Sequence, residues 1–389
     1  MTGTAVASRW TIAPLAGAVA LEETEWNALA RRGFHLYQWF RAAEDSGWLA
    51  RHVLVRRDDE AGAVFPAYLT GADTPHDLHE RWLGPLRDIE RIGLALRPVL
   101  SVQSPFALTS EALGDAKGLS DLVLERVFEL LEETAADERA KAVVWPFVDA
   151  ADEAVIAVAR ERGYAVVPSG VTALLRVRWS SFEEYAASRS KSVRRTIRAD
   201  LAALRAAGLE TVGGPDFAEH ADRMDAVYRA AYRRRNGRDP KLAAGWFRRL
   251  AAEAAPGIDA MLTWKGGQLA GTSFNLAAGD VLDGTFAAFG EEEHGGPAYL
   301  NDLVYEPIRV ACARGLETID LGMSALYPKV LRGARLRRRV ALVRGSSPVV
   351  HRALAALGQA VARRQEVKER RMLGALWDRQ CYEDAGESR

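Results

Sequence analysis

Cysteine is almost absent from this chain, which has only Cys312 and Cys381 among its 389 residues. Two thiols provide neither a disulfide framework nor a thiolate metal site, so their scarcity favours a reducing compartment. An apolar run of the ~20 residues that a transmembrane helix needs is also missing. The shorter apolar run at residues 12–21 has neither the charged flank nor the cleavage pattern of a signal peptide. These absences predict a cytoplasmic protein with no transmembrane segment.

Motifs that identify several enzyme classes are missing as well. The sequence has no Walker phosphate loop, dinucleotide fingerprint or serine nucleophile elbow. His76 and His79 have no third ligand near them in sequence, so we predict no metal site. Net charge is zero, because 52 Lys and Arg balance 52 Asp and Glu. The basic residues nevertheless crowd into the second half, which predicts a basic face there but no DNA partner. They concentrate at residues 189–205, 233–241, 329–344 and 363–371.

What the chain does contain is enough hydrophobic sequence, 48% of its residues, for two domains of ordinary size. Hydrophobic periodicity predicts helices that alternate with strands in both halves, a mixed α/β fold. The predicted helices are at residues 22–32, 36–47, 120–136, 152–163, 190–207, 216–234, 242–253 and 299–314. The predicted strands are at 52–56, 63–69, 141–147, 171–178, 209–212, 260–264, 269–277, 281–288 and 318–321. We predict lobes at residues 1–170 and 171–345, then a basic helix and tail at 346–389.

Three groups of local strings carry a resemblance to a known family. They are residues 188–198 with 206–210, residues 268–276, and residues 299–315 with 319–322 and 329–333. They resemble, in this order, the helix that opens the second lobe, the central hairpin, and the last helix, strand and Lys-x-x-Arg-Gly turn of FemAB-like proteins. Fainter matches occur at residues 40–48 and 51–55. The chain thus resembles the FemAB-like branch of the GNAT acyltransferases.

This resemblance implies two GNAT-like lobes in tandem, with the acyl-CoA N-acyltransferase fold, and an enzyme that transfers an acyl group to an amine. We predict an aminoacyl-tRNA donor, an amine of a small metabolite or peptide as acceptor, and no tightly bound cofactor. The alternatives are a thioester donor on coenzyme A or a carrier protein, and a non-catalytic binding protein.

Two departures from the family bear on the substrates. GNAT enzymes hold the pyrophosphate of coenzyme A at a glycine-rich helix N-terminus. The equivalent turn here, residues 291–298, has three glutamates that would repel a pyrophosphate, and Pro297 removes one N–H donor. This disfavours coenzyme A. The chain also lacks the long helical hairpin of many peptidoglycan-type Fem enzymes, which disfavours a lipid-linked cell-wall substrate.

Basic and aromatic residues are the candidates for donor binding. Lys191, Arg194, Arg195 and Arg198 recur at spacings of three and four, so they share one helical face that suits phosphates. The other interpretation is a solvated helix face. Tyr232 and Arg233 belong to an aromatic and basic run at residues 228–238. Such a run suits either an unpaired nucleic-acid end or a charged helix terminus.

Amide formation from an activated ester requires a base for the amine and donors for the oxyanion, but no covalent nucleophile. Asp302 is the candidate base, although an acid in a first helical turn also stabilises the helix dipole. Tyr327 is the candidate proton donor to the leaving group, with packing as the alternative. The remaining candidates are Lys329 and Asn275 for catalysis, and Phe286, Asn301 and Tyr305 for the acceptor pocket.

Overall fold

The computed structural model describes residues 10–71, 96–240, 242–253, 256–291, 296–377 and 382. The predicted surface pair His76 and His79 lies outside these residues, as does Cys381. None of the described helices combines the length and the apolar character that crossing a membrane requires.

Strands and short helices alternate through the first half. Its strands are β1 (Trp10–Leu15), β2 (Leu49–Ala50), β3 (His52–Arg57), β4 (Glu60–Phe65), β5 (Ala67–Thr70), β6 (Val99–Val102), β7 (Leu113–Gly114), β8 (Ala142–Asp149) and β9 (Ala165–Arg176). Its helices are α1 (Glu23–Ala28), α2 (Tyr37–Glu44), α3 (Asp121–Asp137) and α4 (Glu153–Glu161).

The second half alternates in the same way. Its strands are β10 (Leu209–Gly214), β11 (Ile258–Lys265), β12 (Gln268–Ala278), β13 (Val281–Phe289), β14 (Thr318–Asp320) and β15 (Arg335–Gly345). Its helices are α5 (Phe182–Ser188), α6 (Lys191–Ala206), α7 (Ala221–Asn236), α8 (Trp246–Ala252), α9 (Pro297–Leu300), α10 (Glu306–Arg314), α11 (Leu326–Leu331) and α12 (Pro348–Leu373). A π-helical turn, Asn301–Tyr305, joins α9 to α10.

Serine side chains begin the two helices that open the second half. Ser181 accepts a hydrogen bond from the backbone N–H of Glu184 at 3.2 Å. Ser190 accepts one from Val193 at 3.4 Å. Both bonds satisfy N–H groups that have no partner within the helix, so local sequence alone fixes these two starts.

Two sheets organise the strands. The smaller has the order β1-β3-β4-β7, and the larger has the order β10-β11-β12-β13-β14-β9-β15-β8-β6-β5-β2. Strand β15, from the far end of the chain, lies between β8 and β9 and is antiparallel to both. The predicted boundary at residue 170 falls within β9, so the division into lobes stays a prediction.

Strand β15 was not predicted from the sequence, which has arginine at five of these eleven positions. The structure pairs three of these arginines, Arg337, Arg339 and Arg344, with acidic residues of distant elements. Arg337 contacts Asp149 of β8 at 3.0 Å, and Arg344 pairs with Glu132 of α3. Because the counter-charges come from other elements, no local pattern identifies this strand.

Aromatic side chains pack the junction between the two halves. The ring of Trp39 lies edge-on to that of Trp246, with centroids 5.5 Å apart, and Phe106 lies 5.0 Å from Phe286. Such pairs contribute ~0.5–1.5 kcal/mol each beyond their buried area. Gly33 permits the close approach of the first half, because a β-carbon there would lie 2.2 Å from the β-carbon of Leu276. The halves therefore share the hydrophobic cluster at this junction.

Candidate active site

Strands β13 and β14 run together for three residues and then separate. Val281–Asp283 pair in parallel with Thr318–Asp320. Strand β14 ends there and the chain turns at Gly322, whose φ is +74°, while β13 continues to Phe289. A gap therefore opens beside Asp320.

A cavity of about 490 Å³ occupies this gap. Its volume lies within the ~300–1,000 Å³ of small-molecule sites. Aromatic and aliphatic side chains form much of its wall, among them Phe106, Tyr228, Tyr232, Phe286, Tyr299 and Leu303. Arg235, Arg238 and Lys329 also line it, and none of the described lining residues is acidic.

Lys329 lies in the cavity wall on helix α11. Its side chain is buried, with 1% of the residue exposed, and its ammonium donates a hydrogen bond to the carbonyl of Leu321. A charge removed from water needs such acceptors, because its desolvation is costly. An ammonium beside a cavity of this kind is well placed to stabilise a developing oxyanion.

Hydrogen bonds connect the position of Lys329 to Arg32 in the first half. The Arg32 guanidinium donates to Asp320 Oδ2 at 2.8 Å. The backbone N–H of Gly322 donates to Asp320 Oδ1 at 2.9 Å. Asp320 thereby fixes the turn whose Leu321 carbonyl accepts from Lys329. Arg32 therefore helps to position the Lys329 ammonium indirectly, by holding Asp320 and this turn.

Arg32 is also the centre of a buried cluster of charges at the base of the gap. Its guanidinium contacts Asp283 through two N–H groups and Glu111 at 3.2 Å. Burial lowers the pKa of Arg32, but the attraction of Asp283, Glu111 and Asp320 prevails and holds it well above its ordinary value. Burial raises the pKa of Asp283 despite the opposing attraction of Arg32. The cluster joins the ends of the β13–β14 pairing to the first half.

Asp302 lies in a separate polar pocket against strands β10 and β11. Its carboxylate accepts hydrogen bonds from the Thr211 hydroxyl at 2.9 Å, from the Asn301 amide at 3.1 Å and from the Thr263 hydroxyl. Burial raises its pKa from 3.8 to about 6, and these hydrogen bonds oppose the rise. Asp302 does not line the cavity, so its role as the base stays a prediction.

Asn275 is buried in β12, one strand away from the gap. It pairs with Asp259 of β11 on one side and with Gly284 of β13 on the other. Its side-chain amide has no hydrogen-bond partner among the described residues. Gly284 lines the cavity, whereas Asn275 does not. Its catalytic role also stays a prediction.

The residues predicted for an acceptor pocket separate in the structure. Phe286 lines the cavity, but Asn301 and Tyr305 do not. The Tyr305 hydroxyl donates to Asp200 of helix α6 and accepts from Arg332 at 2.7 Å. Burial, and then the hydrogen bond to Asp200, raises the pKa of Tyr305 above its ordinary value. Tyr305 therefore connects the π-helical turn to helix α6 and to Arg332, whereas the Asn301 amide donates to Thr211 of β10.

Tyr327, the predicted proton donor, is 47% exposed on helix α11. It lies two residues before Lys329, but its side chain does not line the cavity. The structure therefore places the predicted catalytic pair on one helix and brings only Lys329 to the cavity. A role for Tyr327 in proton transfer stays a prediction.

The predicted donor-binding residues of helix α6 lie away from the cavity wall. Lys191, Arg195 and Arg198 are exposed. Arg194 turns back and donates to the carbonyls of Ala187 and Arg189, the latter at 2.6 Å. Its guanidinium thus satisfies carbonyl groups at the end of helix α5, whereas the side chains of Lys191, Arg195 and Arg198 face solvent.

Helix α7 brings the second predicted donor group closer. Tyr232 lines the cavity, and the Arg238 guanidinium lies 5.6 Å from the centre of its ring. Arg233 is exposed and contacts Asp239 at 3.0 Å. The aromatic and basic run therefore contributes Tyr232 to the cavity and directs Arg233 elsewhere.

Several residues at the site were not singled out from the sequence. Phe106 and Met323 line the cavity, and Arg32 lies behind it. No local pattern distinguishes them, since they are brought together from distant parts of the chain. Arg235 was visible only as part of a basic run. The described residues contain no group of three or more His, Cys, Asp or Glu suited to a metal ion.

The mixed sheet, with β13 and β14 separating around a cavity, places this chain among proteins of the GNAT fold. The chain belongs to the FemAB-like family, described as peptidoglycan biosynthesis/recognition, whose profile matches residues 18–372. The predicted family, fold class and enzyme class are thereby confirmed.

Solved structures share the fold at low sequence identity. FemX has a TM-score of 0.60 and 11% identity, over 86% of this chain and 98% of its own. The C-terminal domain of a predicted lysylphosphatidylglycerol synthetase from Agrobacterium fabrum has a TM-score of 0.56 and 11% identity, over 85% of this chain and 93% of its own. A tandem GNAT protein from the clavulanic acid biosynthesis pathway has a TM-score of 0.50 and 14% identity, over 87% of this chain and 99% of its own. The comparison with curated proteins found no match.

Proposed function

We propose that this acyltransferase transfers an aminoacyl group from aminoacyl-tRNA to an amine of a small metabolite or peptide. The observation that carries the proposal is the cavity between β13 and β14, which has the Lys329 ammonium in its wall. Membership of the FemAB-like family supports acyl transfer, and the chemistry below follows from the cavity.

An aminoacyl ester already has a leaving group, so the protein needs to supply position and charge. The amine nitrogen attacks the ester carbonyl carbon, a C–N bond forms, and the C–O bond to the ribose breaks. The proton of the amine ends on the ribose oxygen. Lys329 donates to the carbonyl oxygen as it becomes an oxyanion, an interaction whose loss costs on the order of 10²–10³ in rate.

Two features favour aminoacyl-tRNA over coenzyme A as the donor. The segment after β13 has glutamates at residues 291–293, where a pyrophosphate would have to bind. The exposed Lys191, Arg195 and Arg198 offer cations to RNA phosphates. A thioester on coenzyme A or a carrier protein is the alternative donor.

Asp302 and Tyr327 enter this proposal as groups that exchange protons with the substrates. A pKa of about 6 suits Asp302 to accept a proton near neutral pH. Because neither side chain lines the cavity, each would act through a bridging water or after the site closes on its substrates. Asn275 would orient the carbonyl from the neighbouring strand.

The test is a transfer assay with labelled aminoacyl-tRNA and, in parallel, acyl thioesters, offered to a broad set of amines. We expect turnover with aminoacyl-tRNA, and in Lys329→Met a loss of at least ~100-fold in kcat with an unchanged fold. Lys117→Met is the control, since Lys117 is exposed and does not line the cavity.

Turnover with thioesters but not with aminoacyl-tRNA would contradict the proposal that aminoacyl-tRNA is the donor. Full activity of Lys329→Met would overturn the mechanism, and no turnover with either donor would overturn the proposed reaction.

A further inference from the structure

The walls of the cavity between β13 and β14 are aromatic where they meet the first half of the chain. The Phe286 ring lies 5.0 Å from Phe106 and 5.2 Å from Tyr228, measured between centroids. All three rings line the cavity, together with Leu303. Surfaces of this kind favour a ligand with an aromatic or aliphatic body, because its burial removes apolar area from water.

Cationic groups line the same cavity. Arg235 is exposed near the end of helix α7. Arg238 follows that helix, and its guanidinium donates to the Tyr232 hydroxyl at 3.2 Å. Lys329 adds a buried ammonium. The charged side chains among the described lining residues are all cationic, which favours an anion over a cation in this cavity.

We propose that this cavity binds a small anion with an aromatic or aliphatic body, bearing a carboxylate or a phosphate ester. The inference rests on the proposed function and deepens it by naming the substrate class. The same chemistry has two sources in that reaction. One is the terminal nucleotide of the donor, which has a base and a phosphate. The other is an acceptor amine that has an apolar side chain and a carboxylate.

Calorimetric titration of the full chain with small probes tests the ligand class and distinguishes these sources. Adenosine 5′-monophosphate represents the donor end, and N-acetyl-L-phenylalanine represents the acceptor. Adenosine and N-acetyl-L-phenylalanine amide are their uncharged counterparts. At low salt we expect at least one anion to bind ~10-fold more tightly than its counterpart, as a charge-assisted contact requires. Which anion shows the preference assigns the source.

Variants locate the binding. Arg235→Gln combined with Arg238→Gln should weaken the anion ~10-fold and remove the preference over the uncharged counterpart. Arg223→Gln is the matched control, because Arg223 is exposed on the same helix and does not line the cavity. Gly284→Leu should block both anion and counterpart. A β-carbon at Gly284 meets only the Asp320 carbonyl, at 3.7 Å, so a larger side chain there enters the gap.

Gly214→Leu is the control for the blocked cavity, since a β-carbon there has no neighbour within 4 Å. Equal affinity for anions and uncharged counterparts would overturn the ligand class. So would an anion affinity that the Arg235 and Arg238 changes leave intact, or no binding of either anion at millimolar concentration. Because binding is measured without turnover, failure of the transfer assay alone would overturn the proposed reaction and leave the ligand class standing.

Discussion

A single guanidinium, that of Arg32, faces three carboxylates inside the protein. Asp283 and Asp320 belong to the strands whose separation forms the cavity, and Glu111 belongs to the first half. Glu111 is 39% exposed, so the cluster reaches solvent on one side only. Removing one partner from a buried cluster is far more damaging than removing a surface pair, because the remaining charges lose their compensation.

We expect Arg32→Met to lower the free energy of unfolding by ~3–5 kcal/mol at pH 7. Without the cation, Asp283 remains buried and uncompensated, which raises its pKa in the folded protein further above that in the unfolded chain. A raised pKa in the folded protein means that stability is full at low pH and falls as pH rises. The deficit of the variant should therefore shrink from pH 7 to pH 5 in urea denaturation.

Arg126→Met provides the comparison for Arg32, since Arg126 pairs with Glu129 and Glu133 on the surface. Exposed pairs contribute ~0–1 kcal/mol, so this variant should change little at any pH. A constant deficit for Arg32→Met across the pH range would contradict the role given to Asp283.

Asp302 gives a second prediction that depends on pH. Its pKa rises from 3.8 to about 6 on folding, a difference worth ~3 kcal/mol. Because burial disfavours the charged carboxylate, the protonated form stabilises the folded protein. This contribution to the free energy of unfolding is full below pH 3.8 and is lost as pH rises through 6. In urea denaturation between pH 4 and pH 8, Asp302→Asn should lack this loss. If Asp302 is also the base, kcat should rise through pH ~6 in the unaltered protein only. Identical pH profiles for the two proteins would refute both statements.

At the scale of elements, local sequence was sufficient to predict the helices and strands whose structure depends on their own residues. The predicted strand at 281–288 is observed at Val281–Phe289, and the predicted helix at 190–207 at Lys191–Ala206. The helix begins at the Ser190 cap and buries Val193, Ile197 and Leu204 at helical spacing, so its own residues determine it. Strand β15 was missed because its arginines are compensated by Asp149 and Glu132 of other elements. Patterns confined to one element cannot contain that information.

Helix α6 is predicted to bind the RNA donor through its exposed cations. Replacing Lys191, Arg195 and Arg198 together by Gln should leave the free energy of unfolding within ~0.5 kcal/mol, since all three are exposed. Affinity for tRNA should fall, and the slope of log Kd against log salt should become shallower by up to ~3, about one for each lost phosphate contact. Arg194 is left intact because it bonds to the carbonyls of Ala187 and Arg189.

The matched control replaces three exposed arginines of helix α12, Arg352, Arg363 and Arg364, by Gln. It removes the same charge from another helix. A salt slope that falls equally in both variants would mean that tRNA responds to overall charge, and helix α6 would lose its assigned role.

At the scale of the molecule, the site belongs to neither half alone. The cavity takes Phe106 from the first half and Phe286 from the second, and Arg32 crosses between them to reach Asp320. The sequence predicted strands at 281–288 and 318–321, which border the cavity, but not these partners, because they are separated by more than a hundred positions. Strand β15 holds the two halves together, since it comes from the second half and pairs with β8 of the first half and with β9.

The predicted boundary at residue 170 can be tested by dividing the chain there. A fragment of residues 1–170 would keep β8 but lose β15 and half of β9, and so would expose the sheet edge that β15 covers. The remaining fragment, 171–389, would keep β15 without its partner β8. We therefore expect neither fragment alone to show a cooperative unfolding transition by circular dichroism, whereas a mixture of the two should regain one. Separate cooperative transitions would show that the lobes are independent domains, and the shared sheet would then be a surface on which two finished folds dock.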